Sequence, residues 1–225
     1  MGYTLVFRDV LAQWEALLLG AVQTLWISTA AILLGGGIGV LGAVARGSRH
    51  AALRWGSTVY VEAVRNTPFL VQLFLIFFGL PGAGVQISAV QAGLLALTLN
   101  LGAYATEIVR AGIEATHSGQ VEAGMALGLR RGQVIRLVVL MPALQRVWPA
   151  LSSQFVLTML ASSILSAVSV EELTSVAALV DSRTYRSFEV YLVAAGFYLV
   201  LTFAFRAAFA AAGFLLFPAR RAGKR

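Results

Sequence analysis

The chain has 225 residues, 59% of them hydrophobic and 12% charged, with a formal net charge of +7 and a mean hydropathy of +0.82. A soluble domain of this length carries about a quarter charged residues, so the composition excludes an ordinary globular enzyme. Cysteine is absent, which excludes disulfides and thiolate metal sites.

Residues 16–45, 66–106, 147–170 and 190–205 contain no charged side chain. A helix needs roughly 20 apolar residues to cross the hydrocarbon core, so these runs predict an all-α, polytopic membrane protein with about five spans. The first span is expected over about 16–44. No charged segment followed by a small-residue cleavage site precedes it, so it is read as retained rather than as a signal peptide. Gly35 and Gly39 near its end are spaced to let a neighbouring helix approach closely.

The second span is placed at about 57–79 and the third at about 87–110, with the turn at Gly79-Leu80-Pro81-Gly82-Ala83-Gly84. Glu62 and Arg65 stand three residues apart, a spacing that predicts a mutual ion pair. They serve either helix packing or a translocation path. Glu107 and Arg110 repeat the arrangement and are expected to support the loop that follows. Thr67, Gln72 and Asn100 are polar residues of these two spans; with Ser162, Ser163 and Ser166 they are candidates to contact a zwitterionic solute, or else to join helices.

Residues 111–136 form an isolated polar segment. On a helical wheel Val121, Met125, Ala126 and Leu129 fall on one side, with Glu122, Arg130 and Gln133 on another. Ser118 is the expected N-cap, and Gly128 stands where the helix would stop. Such a helix either lies on lipid headgroups or docks a soluble partner. Its small apolar face lacks an aromatic residue, which favours docking.

The fourth span is expected from near Leu137 to about 163, with Pro142 and Pro149 kinking it or displacing its start. Residues 164–188 hold Glu171, Glu172, Asp181, Arg183 and Arg186 and are expected to be largely wet. The fifth span covers about 189–210, with an apolar extension to Phe217. Arg206 is read as marking the interface. His50 and His117 lack ligand spacing, so no metal site is expected.

Basic residues gather in alternate loops: Arg46, Arg49 and Arg54; then Arg110, Arg130, Arg131 and Arg136; then Arg220, Arg221, Lys224 and Arg225. The positive-inside bias places these on the cytoplasmic side, with the N-terminus outside and the C-terminus cytoplasmic. A nucleic-acid partner is not expected, because it would need the charges on one soluble face.

Several segments together resemble a known family. Glu122-Ala123-Gly124 with Gly128 six positions after the glutamate is similar to the EAA loop of permease subunits in ATP-binding-cassette (ABC) importers. Residues 60–73, 100–110, 118–123 and 170–174 resemble the polar amino-acid permeases of the histidine/glutamine type, in one order across about 18–205. The resemblance implies a single permease domain over 1–225 with the MetI-like fold, a coupling loop at about 111–136, and a multi-pass location in a bacterial inner membrane. It implies a dimer with a second permease subunit, two ABC ATPase subunits that receive the loop, and an extracytoplasmic substrate-binding protein. Gly119, Glu122, Ala123, Gly124, Leu127, Gly128 and Arg130 would then couple to the ATPase. The chain contains no G-x-x-x-x-G-K-[ST], so ATP and Mg would sit on the partner, and this subunit would be no enzyme.

Three positions depart from the family pattern. Gly124 replaces its usual Ala, Met141-Pro142 shifts a proline by one, and Leu160-Ala161 stand where it carries Lys-Asp. The last change leaves two readings: the solute's side chain is uncharged or acidic, or this chain is the non-binding half of a heterodimer. An ion-coupled secondary transporter is a third class, for which inverted repeats and a buried mid-membrane carboxylate are expected; neither is evident in the sequence.

Overall fold

The computed structural model describes residues 4–217, so the basic tail from Arg220 lies outside the described residues. Within them every regular element is helical. In lipid each backbone N–H and C=O must be satisfied internally, and a helix achieves this within one segment. The elements are α1 (Arg8–Leu11), α2 (Trp14–Arg46), α3 (Ala51–Arg65), α4 (Phe69–Gly82), α5 (Ala89–Glu114), α6 (Ser118–Ala126), α7 (Arg131–Val168), α8 (Leu173–Thr184) and α9 (Ser187–Leu216). Of these, α2, α5, α7 and α9 are each long and apolar enough to cross a membrane, and α3 with α4 makes a fifth crossing if the bent pair is counted as one.

The expected second span is therefore not one straight helix. Pro68 has no N–H to donate and forces Thr67 away from helical geometry. It sits in extended conformation (φ −62°, ψ 140°) as the residue before α4, and the axes of α3 and α4 differ by 107°. The fourth span is also corrected: it begins at Arg131, six residues before Leu137. Its first turns widen into a π-helix over Val134–Leu140, ending two residues before Pro142, whose missing N–H a wider turn accommodates. The apolar extension after 210 continues α9 as one helix to Leu216.

The chain divides into two compact units. One comprises the described residues up to Leu33 with Pro68–Thr98 and Val156–Phe205. Its core has two clusters: Leu17, Ala21, Leu173, Ala177, Val180 and Val190 in the first, and Ile27, Ala31, Leu73, Leu97, Leu165 and Val168 in the second. Leu173, Ala177 and Val180 recur at helical spacing and make α8 amphipathic. Much of the stretch expected to be wet is thus core.

The other unit comprises Leu34–Thr67, Leu99–Phe155 and the described residues from Arg206. Here α2 and α5 touch at Gly39, where an added Cβ would lie 2.4 Å from the Ala105 Cβ. That close approach is the packing role expected of this glycine. Trp148 of α7 donates its indole N–H to the Phe209 carbonyl at 2.9 Å, and Phe155 packs its ring on Phe209, with centroids 5.0 Å apart.

Candidate functional site

In the second unit the polar segment between α5 and α7 folds as predicted into a short helix, but its ends differ in detail. His117, in extended conformation, precedes α6 and provides no side-chain cap; Ser118 is the first helical residue instead. The C-terminal end is a complete Schellman motif. The Leu129 N–H donates to the Gly124 carbonyl at 3.2 Å, and the Gly128 N–H to the Met125 carbonyl at 3.0 Å. Gly128 adopts φ +79°, the left-handed conformation that this turn requires and glycine supplies without strain.

The predicted faces of α6 need one correction. Gly124 is the buried residue, with Val121 and Leu129 half-buried, whereas Met125 and Ala126 lie exposed beside Glu122 and Ala123. Helix α6 rests on the π turn of α7, with which it makes its contacts. A Cβ at Gly124 would stand 3.3 Å from Val138 Cγ2 and 3.4 Å from Val134 Cγ2, so glycine here lets α6 lie close. Leu127 is 82% exposed and Met125 52%. Gly119 faces open space. The Arg130 backbone N–H donates to Gln133 Oε1 at 2.8 Å, which starts α7 directly after the turn. The result is a rigidly anchored helix that offers two large apolar side chains and a carboxylate outward.

The same unit holds a charge network built from three helices. Glu107 of α5 receives Arg46 of α2 at 2.7 Å, Arg110 of its own helix at 2.9 Å and Arg65 of α3 at 3.7 Å. The Glu107–Arg110 pair is the one predicted from spacing. Glu62 and Arg65 do not pair as predicted: among the described residues Glu62 reaches Arg46 at 3.8 Å, and Arg65 reaches Glu107. A helix turn separates them by three residues, yet each points to a different neighbour. Arg65 also lies 5.4 Å from the Tyr104 ring centroid, a cation–π contact. Arg110 extends the network to Glu114. Arg46 was visible only as a loop charge in the sequence, yet its side chain keeps just 14% exposure.

The remaining path candidates are placed separately within the two units. In the second, Thr67 donates its hydroxyl to the Ala63 carbonyl at 2.9 Å, and Asn100 is half-buried. In the first, Gln72 is half-buried. Ser162, Ser163 and Ser166 share one 3-10 turn at the end of α7, and each hydroxyl donates to a carbonyl three residues earlier, at 2.6, 2.8 and 2.7 Å.

The first unit holds a polar cluster that the sequence reading placed in water. Glu172 is fully buried. It caps α8 by accepting from the Ser175 N–H at 2.8 Å, and its other oxygen accepts from the Tyr198 hydroxyl at 2.7 Å. Thr174 Oγ1 lies 2.8 Å from that hydroxyl, and the Leu173 N–H donates to Thr24 Oγ1 at 3.1 Å. Burial pushes the Glu172 carboxyl above the usual carboxylate range, against the opposing pull of these neutral donors. The available signal was an acidic residue three before Ser175, followed by the apolar period of α8.

Comparison with known proteins was consistent with this geometry. Residues 31–213 match the family model described as binding-protein-dependent transport system inner membrane component. A probable glutamine ABC transporter permease protein of Bacillus subtilis, GlnM, is 40% identical over 183 residues, covering 81% of this chain and 85% of that protein. A crystal structure of an amino acid ABC transporter with histidines superposes with a TM-score of 0.84 at 34% identity, covering 94% of this chain and 99% of the other. An inward-facing structure of the MetNI methionine ABC transporter shares the fold, with a TM-score of 0.74 at 22% identity over 91% of this chain and 98% of the other.

Proposed function

This chain belongs to the family of binding-protein-dependent transport system inner membrane components, and from that membership we propose that it is the permease subunit of an ATP-driven importer of polar amino acids. It lines the solute path with a second permease subunit, in a bacterial inner membrane, with the N-terminus outside. Substrate arrives from an external binding protein, and ATP with Mg is held by separate ATPase subunits.

The observation that carries the coupling role is the combination at α6. A short helix is fixed at one end by a Schellman turn and at its buried glycine by α7, while Met125 and Leu127 stand exposed beside Glu122. Exposed apolar side chains on a rigid element suit insertion into a partner's groove. ATP-driven closure of the partners then pushes on α6 and shifts the permease between inward- and outward-open states, whose relative stability ATP binding alters.

Glu122→Lys tests this in the purified importer reconstituted in liposomes. Substrate-stimulated ATP hydrolysis is expected to fall by at least about tenfold through like-charge or unpaired contacts at the interface, with membrane insertion unchanged. Stimulation equal to the wild type rejects the role of α6.

One observation favours a second reading of the solute site. Leu160 and Ala161 are uncharged, and the three serine hydroxyls that follow already donate to their own helix. This suits either a solute with a neutral side chain, such as the glutamine named for the Bacillus relative, or the non-binding half of a heterodimer. Co-purification of a different permease chain selects the second.

A further inference from the structure

A crevice of about 390 Å³ runs between α2 and α3, lined by Ile38, Leu41 and Ala45 on one side and Leu53, Gly56 and Tyr60 on the other. Its walls are apolar, and a Cβ at Gly56 would meet nothing within 4 Å. A glycine in a helix interior costs stability, and here the vacated volume opens onto the crevice. Helix α3 is basic and amphipathic, the pattern of a helix lying at a membrane surface. Trp55 is 71% exposed and Leu53 53%, as suits side chains at the headgroup boundary.

The mouth of the crevice is one-sided in charge. Arg46, Arg49, His50 and Arg54 fall within nine residues, and no acidic residue occurs from 16 to 61. Arg46 is committed to Glu107 and Glu62, whereas Arg49 and Arg54 join none of the ion pairs among the described residues. Both arginines are exposed. Arg54 lies one residue from the crevice wall, in the opening turns of α3. His50 gives that helix no side-chain cap, which leaves its first backbone N–H groups without that acceptor at an end where a phosphate is favoured.

We infer that this crevice is a binding site for an anionic phospholipid, one acyl chain lying between α2 and α3 and the headgroup phosphate held by Arg49, Arg54 and the start of α3. The lipid would fill space that the protein's own side chains leave open. It would also bridge α3 to the helix that carries Arg46.

The test is lipid retention by the purified importer after equilibration in liposomes of equal phosphatidylglycerol and phosphatidylcholine, read by native mass spectrometry. The wild type is expected to retain phosphatidylglycerol preferentially, one molecule per permease chain. Arg49→Gln and Arg54→Gln are surface changes that leave folding intact; each is expected to lower that preference about five-fold, the factor carried by one basic side chain at an anionic surface. Gly56→Leu fills the crevice and is expected to abolish retention of both lipids. Equal retention of the two lipids by the wild type overturns the proposal, as does a preference that survives loss of both arginines. A disulfide between two copies carrying Gly56→Cys also overturns it, because a second permease would then occupy the crevice. The readout needs neither transport nor hydrolysis, so failure here leaves the coupling role of α6 untouched, and the reverse holds.

Discussion

Two carboxylates hold the two units in opposite ways. Glu172 is fully buried and meets only neutral donors: a backbone N–H at the start of α8 and the hydroxyl of Tyr198. Glu107 keeps 17% exposure and meets three guanidinium groups from three helices. A neutral-donor site ties a carboxyl to one local geometry and tolerates its protonation. A site of three cations requires the negative charge, because removing it leaves like charges together. The first arrangement positions one helix, and the second holds α2, α3 and α5 as a set, next to the turn from which α6 departs.

The largest effect is expected from breaking the charged site. Glu107→Gln leaves the largely buried Arg46 with only the more distant Glu62 carboxylate, at 3.8 Å. Removing one partner of a fully buried pair costs roughly 3–5 kcal/mol, and the residual solvent contact of both side chains brings the expected loss to about 2–3 kcal/mol. Thermal unfolding of the detergent-purified protein measures it. Adding Arg46→Met to Glu107→Gln should recover part of the loss, since the orphaned charge goes with it; a double variant less stable than Glu107→Gln alone contradicts this account.

The neutral site should respond differently. Glu172→Ala strands the Ser175 N–H and leaves the Tyr198 hydroxyl with Thr174 as its partner, for an expected loss of about 2 kcal/mol, whereas Glu172→Gln keeps the shape and one acceptor oxygen and should cost far less. The pH dependence follows from the raised carboxyl. The folded state binds this proton more tightly than the unfolded chain, so the contribution is fully present below the usual carboxylate value and is lost as pH rises through the folded one. The stability of Glu172→Gln relative to the wild type should therefore increase with pH across that window. A constant difference from pH 4 to 8 would show that the Glu172 carboxyl titrates in the folded protein as it does in the unfolded chain.

These sites also mark what the sequence made legible. The spans were written in long uncharged runs, and the end of α6 in Gly128, whose left-handed conformation few other residues accept. The break at Pro68 was hidden because the apolar run continues across it, and a single proline does not distinguish a kink from two helices. Glu172 was misplaced because neighbouring acids suggest water, although the period of Leu173, Ala177 and Val180 pointed to a buried face. The Glu62–Arg65 pair failed for a different reason. Spacing on one helix shows which residues can meet, but Glu107 on α5 and Arg46 on α2 presented better partners, and no local pattern encodes those.

A smaller effect is expected at the turn that ends α6. Gly128→Ala places a Cβ at φ +79°, at a cost of about 1 kcal/mol. Because the strain falls where α6 joins α7, substrate-stimulated hydrolysis should drop more than global stability does. Gly128→Asn should be milder, since asparagine tolerates the left-handed conformation better. Equal activity of the alanine and asparagine variants would show that the turn's geometry does not limit coupling.

The smallest effect is expected at the outer member of the charged site. Arg65 is 39% exposed in its side chain and stands 3.7 Å from Glu107, a separation and exposure at which an ion pair contributes at most about 0.5 kcal/mol. Its contact with Tyr104 adds a similar amount at an exposed position. Arg65→Gln should therefore lower stability by less than about 1 kcal/mol, while Glu107 keeps its two closer arginines. That modest structural weight makes the residue a clean probe of the translocation path. If Arg65 only braces helices, transport should fall no further than stability predicts, and Arg65→Lys should restore most of it. A loss of transport well beyond the change in stability, with the ATPase still stimulated by the binding protein, would instead place Arg65 in contact with the moving solute.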